Sequence, residues 1–447
     1  MRIEIGIALL AICSGAGCLE PDDEGPAATE ALAADAIDAV ATTGAPLPGI
    51  PAAVFDEARE AFDDDETIDD GLGPLFNATG CGRCHTQGGI GGAGVQINRH
   101  FGRFVDGKFD PLAGEGGDTR SLFSLGTFRH GATTCTVAVE TEPADATIHN
   151  VGRLTPALFG LGLIDAMPDS FFDALAAAQP SEIRGTVKRQ GILMPNPADP
   201  SQAMGTPRVA RFGWKDALTN LAEFSAAAYN GELGISTQSC INGSPFLIFS
   251  GEGAPNGVPV APGCDDLAPP PPPGVPAGVD EAVGSCDGGK TELAEDVQHF
   301  LDFMTFLGPP TRDFSDPISI ARGAPIFVRA GCAGCHVATT FVTPNPSPNG
   351  VPGGFRFQPF SDFLVHDMGS LGDLIGNPGD SVAVTRQMRT APLWGIRFRT
   401  LLLHDGRATT IDAAIRAHDG QAARAAAAYR RLRSSDQRNL VQFVRSL

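Results

Sequence analysis

The sequence predicts a mainly α-helical protein of two similar lobes, with long irregular loops and minor β structure. Three observations predict it. A cysteine pair with a trailing histidine occurs twice, and an amphipathic helix closes each unit. Gly 55 and Pro 36 in 447 residues supply the irregular segments. A hydrophobic content of 42% suits a globular core, and a net charge of −20 excludes nucleic acid as a partner, because phosphate recognition needs a basic surface.

From the amino terminus, Arg2, the apolar run from Ile5 to Ile12 and the small residues Gly15-Ala16-Gly17 before Cys18 read as an export signal over residues 1–17. Small residues directly before a cysteine resemble the lipobox of bacterial lipoproteins. The expectation is a periplasmic chain anchored as a lipoprotein through Cys18, with simple export as the alternative. No other stretch approaches the ~20 apolar residues of a membrane helix, so membrane contact is expected through lipid alone. Residues 18–70 are expected to be an acidic disordered tether, since residues 20–70 hold sixteen acids against the single base Arg59.

The repeated motifs are Cys81-Gly82-Arg83-Cys84-His85 and Cys332-Ala333-Gly334-Cys335-His336. Two thiols three residues apart each form a thioether with a haem vinyl group, and the next histidine lies under the ring to ligate iron. A thioredoxin-like pair or a zinc site would leave both histidines without a role. The expected cofactors are therefore two covalently bound haem c groups, with His85 and His336 on iron. Gly71-Leu72-Gly73-Pro74-Leu75-Phe76-Asn77 and Arg322-Gly323-Ala324-Pro325-Ile326-Phe327 precede the motifs and are each expected to form a short helix. Leu293, Val297, Phe300, Leu301, Met304 and Leu307 form one closing stripe; Leu440, Val441, Phe443, Val444 and Leu447 form the other. A helix, a haem-binding loop and a closing helix describe a cytochrome c-like haem domain. The expected units are 71–308, with a Cys/Pro-rich insertion at 240–290, and 309–447. Gly308-Pro309-Pro310 marks their boundary.

From residue 71 to 447 the sequence resembles the bacterial di-haem oxidoreductase family, relatives of the di-haem cytochrome c peroxidases. The motifs that carry the resemblance, besides the two haem motifs, begin with Gly160-Leu161-Gly162-Leu163-Ile164-Asp165-Ala166 and Arg211-Phe212-Gly213-Trp214-Lys215. They continue with residues 361–369, then Arg389-Thr390-Ala391-Pro392-Leu393-Trp394-Gly395, and then Leu402-Leu403-His404-Asp405-Gly406-Arg407 with 413–418. The resemblance implies an exported oxidoreductase that reduces peroxide at the amino-terminal haem, with electrons supplied through the carboxy-terminal one. It implies a small redox donor such as a cytochrome or cupredoxin. A pure electron-transfer cytochrome and a maturase-like oxidase acting on a partner protein are the alternatives. The family's distal ligand to the second haem falls, by position, on His418, fourteen residues past His404. Met368, Met388 and an open iron position are alternatives. The candidate at the first haem is His100, as a catalytic or distal residue that a glycine-rich loop swings towards iron; otherwise it is a surface residue in a strand around 97–104. The peroxidases' distal acid is not placed.

Trp394 is expected on a porphyrin edge, with an electron relay as the alternative. His366 and His404 are expected to orient the haem pocket through hydrogen bonds. From Arg386 to Leu447 there are twelve arginines, four acids and no lysine. Arg407 is the first choice among them for a haem propionate, and Arg424 to Arg433 form an exposed face or a docking patch for an acidic carrier. Cys135, Cys240, Cys264 and Cys286 are expected to form two disulfides, the first pairing to try being Cys264 with Cys286.

Overall fold

The computed structural model describes residues 37–38, 40–113, 119–130, 133–248, 264, 281–282, 286 and 290–447. The expected export signal, Cys18 and the run from Pro269 to Pro273 lie outside the described residues. The fold is not mainly α: the chain is 32% helical and 19% strand, and the strands form many small sheets. Among the described residues only β1 (Ile97–Val105) and β2 (Ile148–Leu154) exceed five residues. Strands this short leave almost no period-two pattern in a sequence, and so the helices alone were legible. β1 and β2 pair antiparallel, Ile97 opposite Leu154 and His100 opposite Val151.

The first core forms among α1 (Ala52–Asp63), α2 (Leu221–Leu233) and α3 (Glu295–Phe306). α1 falls inside the segment expected to be a tether. It is ordered because Phe55, Ala58 and Phe62 recur at helical spacing and bury against α3, while its acids face outward. Each buried phenylalanine contributes about 1.5–3 kcal/mol towards the cost of ordering the segment. Asn220 caps α2 by accepting from the Glu223 amide at 2.9 Å, and Gly234, at φ 74°, ends it. The α3 stripe is buried as its spacing predicts.

The second core lies among α4 (Pro317–Arg329), α5 (Ile411–Ala417) and α6 (Ser434–Arg445), with Phe327, Tyr429 and Phe443 at its centre. Pro317 opens α4 and Asp316 accepts from the Ser319 amide at 3.1 Å. Gly323 lets α4 meet α6, because a Cβ there would stand 2.2 Å from the Asn439 carbonyl oxygen. A third cluster joins Leu163, Ile164 and Phe172 to Phe357, Phe363 and Trp394, on both sides of residue 308. The helix expected over residues 71–77 is instead a turn, Ile68–Asp70, followed by the strand Leu75–Phe76, because Pro74 has no amide to donate and excludes a helical Gly73. No helix among the described residues is long and apolar enough to cross a membrane.

The disulfides are Cys135–Cys264 and Cys240–Cys286, so the pairing first expected from proximity in sequence is wrong. Cys240 sits on the strand Thr237–Ile241 and Cys135 on Thr133–Val137, each on a different hairpin. Both hairpins are thereby tied to the insertion. A non-reducing peptide map should recover one peptide linking Cys135 to Cys264 and another linking Cys240 to Cys286. C135A/C264A should lower unfolding stability by about 2–4 kcal/mol in a denaturant titration.

Candidate functional site

The first motif forms a one-turn helix, Cys81–Cys84, that starts at Gly80. The His85 amide donates to the Cys81 carbonyl at 3.1 Å, which places the histidine beneath the two thiols. Its Nδ1 lies 2.9 Å from the Gly92 carbonyl oxygen and donates to it, and the ring also hydrogen-bonds to the Pro156 backbone. The glycine-rich loop that supplies this carbonyl is packed, not a swing arm. A Cβ on Gly94 would stand 1.9 Å from the Cys84 carbonyl oxygen, and one on Gly92 would stand 2.1 Å from that of Gln87. The Phe62 ring meets the His85 ring edge-on at 5.8 Å. His100 is in the expected strand but is buried there, not on the surface.

The second motif follows α4 through Gly331, at φ 90°, into the turn Cys332–Gly334. The same construction recurs: the His336 amide donates to the Cys332 carbonyl at 3.0 Å, and Nδ1 donates to the Phe360 carbonyl at 2.9 Å. His418, directly after α5, donates from Nδ1 to the Ala414 carbonyl at 2.8 Å. The His336 and His418 ring centroids are 6.4 Å apart, and both rings line a cavity of about 440 Å³ together with Cys332 and Cys335. Cavities of this size hold cofactors. Burial holds His85 down at about 4 and, with the His418 charge adding to it, His336 also at about 4; burial lowers His418 as well. All three imidazoles are thus neutral, the state that ligates iron.

Met368 and Met388 also line the cavity. The Met388 sulfur lies 3.7 Å from the Lys215 Nζ, which also donates to Asp373 and to the Thr385 carbonyl, each at 2.8 Å. His404 lines the cavity and packs edge-on against Trp214 at 6.3 Å. His366 is fixed by Asp362, Nε2 to Oδ2 at 2.9 Å, and Gln179 donates to the same Oδ2 at 2.6 Å. Its Nδ1 lies 3.7 Å from the Cys335 sulfur. Trp394 is buried and is not among the residues of the cavity wall, its indole lying against Gly160 and Phe357. Arg407 does not line the cavity; it is half-exposed and pairs with Asp405 at 2.5 Å.

Sequence reasoning missed three features. Arg399 lines the cavity with its Nε buried and without a hydrogen-bond partner. Glu232 accepts from Asn77 at 2.8 Å and Asn98 at 2.9 Å, and burial raises its pKa. The Tyr229 hydroxyl stands 2.9 Å from Glu66 and 3.0 Å from Asp296. No motif announces them, since each depends on residues far apart in the chain. Burial, with the Glu66 and Glu232 charges, pushes the Cys81 thiol up, and burial with Glu232 pushes Cys84 up to about 12; burial likewise holds Cys332 at about 12. Thiols raised in this way are poor nucleophiles, which counts against the thioredoxin-like alternative. The donor set, two thiols and an Nδ1-tethered imidazole in each motif, fits a covalently bound haem, and the orphaned Arg399 Nε fits the anionic edge of one at the second motif.

Burial raises Glu66 to about 7, with Asp296, Asp70 and Asp64 adding to the effect. A carboxyl raised above its unfolded value stabilises the fold below pH ~4.5 and loses that contribution as the pH rises through ~7. The stability of wild type relative to E66Q should therefore fall between those two pH values in urea titrations. A constant difference across that window would contradict the raising of the Glu66 carboxyl by burial.

A hydrazine synthase structure from Kuenenia stuttgartiensis, solved under 20 bar of xenon, is similar at 18% identity and a TM-score of 0.25, over 35% of this chain and 57% of that one. The chain thus spans little more than half of that protein's length, and the likeness is too distant to bear on fold or activity. None of the curated proteins compared matches the chain. The family model described as "Di-haem oxidoreductase, putative peroxidase" matches residues 273–447, so this part of the chain, with the second motif and its cavity, is matched to the di-haem oxidoreductase family that the sequence motifs resemble.

Proposed function

We propose that the chain is an exported di-haem c-type oxidoreductase that reduces peroxide at its amino-terminal site. The observation that carries it is the repeated construction at His85 and His336. Each follows two thiols, and each donates Nδ1–H to a backbone carbonyl from a buried, neutral ring. When bound, two haems supply one-electron iron chemistry, with electrons passing to the first through the second.

The chain's own residues divide the work. Cys81 and Cys84 hold one group, Cys332 and Cys335 the other. His85 and His336 would ligate the two irons, and His418, which faces His336 with the same tethered geometry, would be a second protein ligand at the second site. The Lys215 contact at its sulfur engages Met388 and favours His418 over it. His366, held by Asp362, orients the wall beside Cys335. At the first motif, Glu66 stays protonated up to about pH 7 and serves as a proton store beside the attachment segment. The two disulfides support an oxidising compartment, the periplasm, with the lipid anchor at Cys18 and a small cytochrome or cupredoxin as donor.

Pyridine haemochrome assay of the pure protein should count two haems, and C332A/C335A should reduce the count to one. H418A should convert one haem from low-spin to high-spin in the EPR spectrum. Peroxide should oxidise the reduced wild type within turnover time, through a high-spin haem that H418A leaves in place. Two low-spin haems inert to peroxide would leave electron transfer as the function.

A further inference from the structure

The second cavity is lined by a part-buried cation that no acid faces among the described residues. Arg399 follows the turn Ile396–Phe398 and lines the cavity among Leu393, Ile396 and Leu402. Its Nε is enclosed without a hydrogen-bond partner. The charge that bears on it is that of Arg389, which is repulsive, and burial with that repulsion lowers Arg399 to about 10. Arg389 is already engaged: its Nε donates to the Gly213 carbonyl at 2.7 Å and stands 3.5 Å from Asp216. An enclosed charge without a counter-ion costs several kcal/mol, and a leucine would fill an apolar wall at no such cost. The guanidinium's planar fork matches a carboxylate in two parallel hydrogen bonds.

We propose that Arg399 is the anion-binding residue of the second site and pairs there with a carboxylate of the bound group, a haem propionate. This rests on the assignment of haem to Cys332, Cys335 and His336. It replaces Arg407, whose guanidinium is committed to Asp405 outside the cavity. Arg399 acts as a positioning residue: it fixes the rotation of the group about the His336–His418 axis and keeps one positive charge near the iron.

Potentiometric titration of the holoprotein tests it, with wild type, R399K, R399L and R407L compared at equal haem content. R399L should lower the midpoint of one haem, reducing the ferrous-to-ferric ratio at fixed potential about tenfold, or about 59 mV for one electron. R399K, which keeps the charge and loses the fork, should fall less, and it carries the test if R399L loads haem poorly. R407L should match wild type. Two haems with unchanged potentials in both Arg399 variants would overturn the assignment. So would a wild-type midpoint that shifts with excess acetate and stops shifting in R399L, because the site would then be open to a diffusible carboxylate. A wild-type count below two haems would defeat the haem assignment itself, separately from the role of Arg399.

Discussion

The arrangement turns on one kind of hydrogen bond, from an imidazole Nδ1 to a backbone carbonyl. It fixes the tautomer and the ring plane, and so decides where the reactive lone pair points. Around each such bond the backbone is built to present its oxygen. At the second motif the carbonyl belongs to Phe360, a fully buried residue at φ 52°. That left-handed conformation costs a non-glycine residue about 1 kcal/mol or more and persists only where packing over-determines it. The rings of Phe327 and Phe443 do so, at 6.1 and 5.9 Å from Phe360. The core of α4 and α6 therefore holds the ligand histidine through a strained carbonyl. At the first motif glycines do the same work: Gly91, at φ 83°, lets the loop fold back so that Gly92 meets His85.

A second constraint joins the parts. Asp373 is buried and accepts from Arg153 at 2.7 Å and Lys215 at 2.8 Å, and its oxygen also takes the Ile375 amide at 3.0 Å. Burial acts against the carboxylate, yet the two cations hold it well below the usual range. Removing one partner from such a group leaves an uncompensated charge, which costs more than the intact cluster gains over an apolar one. Its cationic partners come from β2 and from the motif around Trp214, and the same Lys215 reaches the Thr385 carbonyl in the segment before Met388. The Leu154 amide, next to Arg153, also donates to the His404 carbonyl at 2.6 Å. These contacts tie residues of the first half to the wall of the second cavity, so the wall depends on both halves.

What the sequence made legible follows the range over which its signals act. The two Cys-x-x-Cys-His motifs, α3, α4 and α6 depend on spacings of three to seven residues, and periodicity finds those. His418 was placed by counting from His404, and the structure brings it opposite His336. The strands were too short to leave a period, and the mainly α expectation failed with them. α1 was hidden because composition averages over the segment, while three apolar residues at the right spacing suffice for burial. Arg407 stands in a motif and Arg399 does not, and only the fold shows that Asp405 pairs with one while, among the described residues, no acid faces the other. The disulfides failed for the same reason: distance along the chain is a poor measure where hairpins intervene.

The net charge of −20 conceals two local fields of opposite sign. Beside the first motif stand Glu66, Asp296 and Glu232; at the second stand Arg389 and Arg399. A group that brings carboxylates of its own meets these fields differently. At the second cavity the guanidinium of Arg399 offers a counter-charge, and pairing removes two desolvation penalties at once. Near the first motif a further negative charge would be repelled if the acids were ionised. Burial opposes ionisation of two of them, raising Glu232 and raising Glu66 to about 7, so the field there strengthens as the pH rises through that value. On the proposed assignment, neutrality is reached by pairing at one site and by protonation at the other. The first of these is insensitive to pH across the range in which the second titrates, and this makes the two sites separable by experiment.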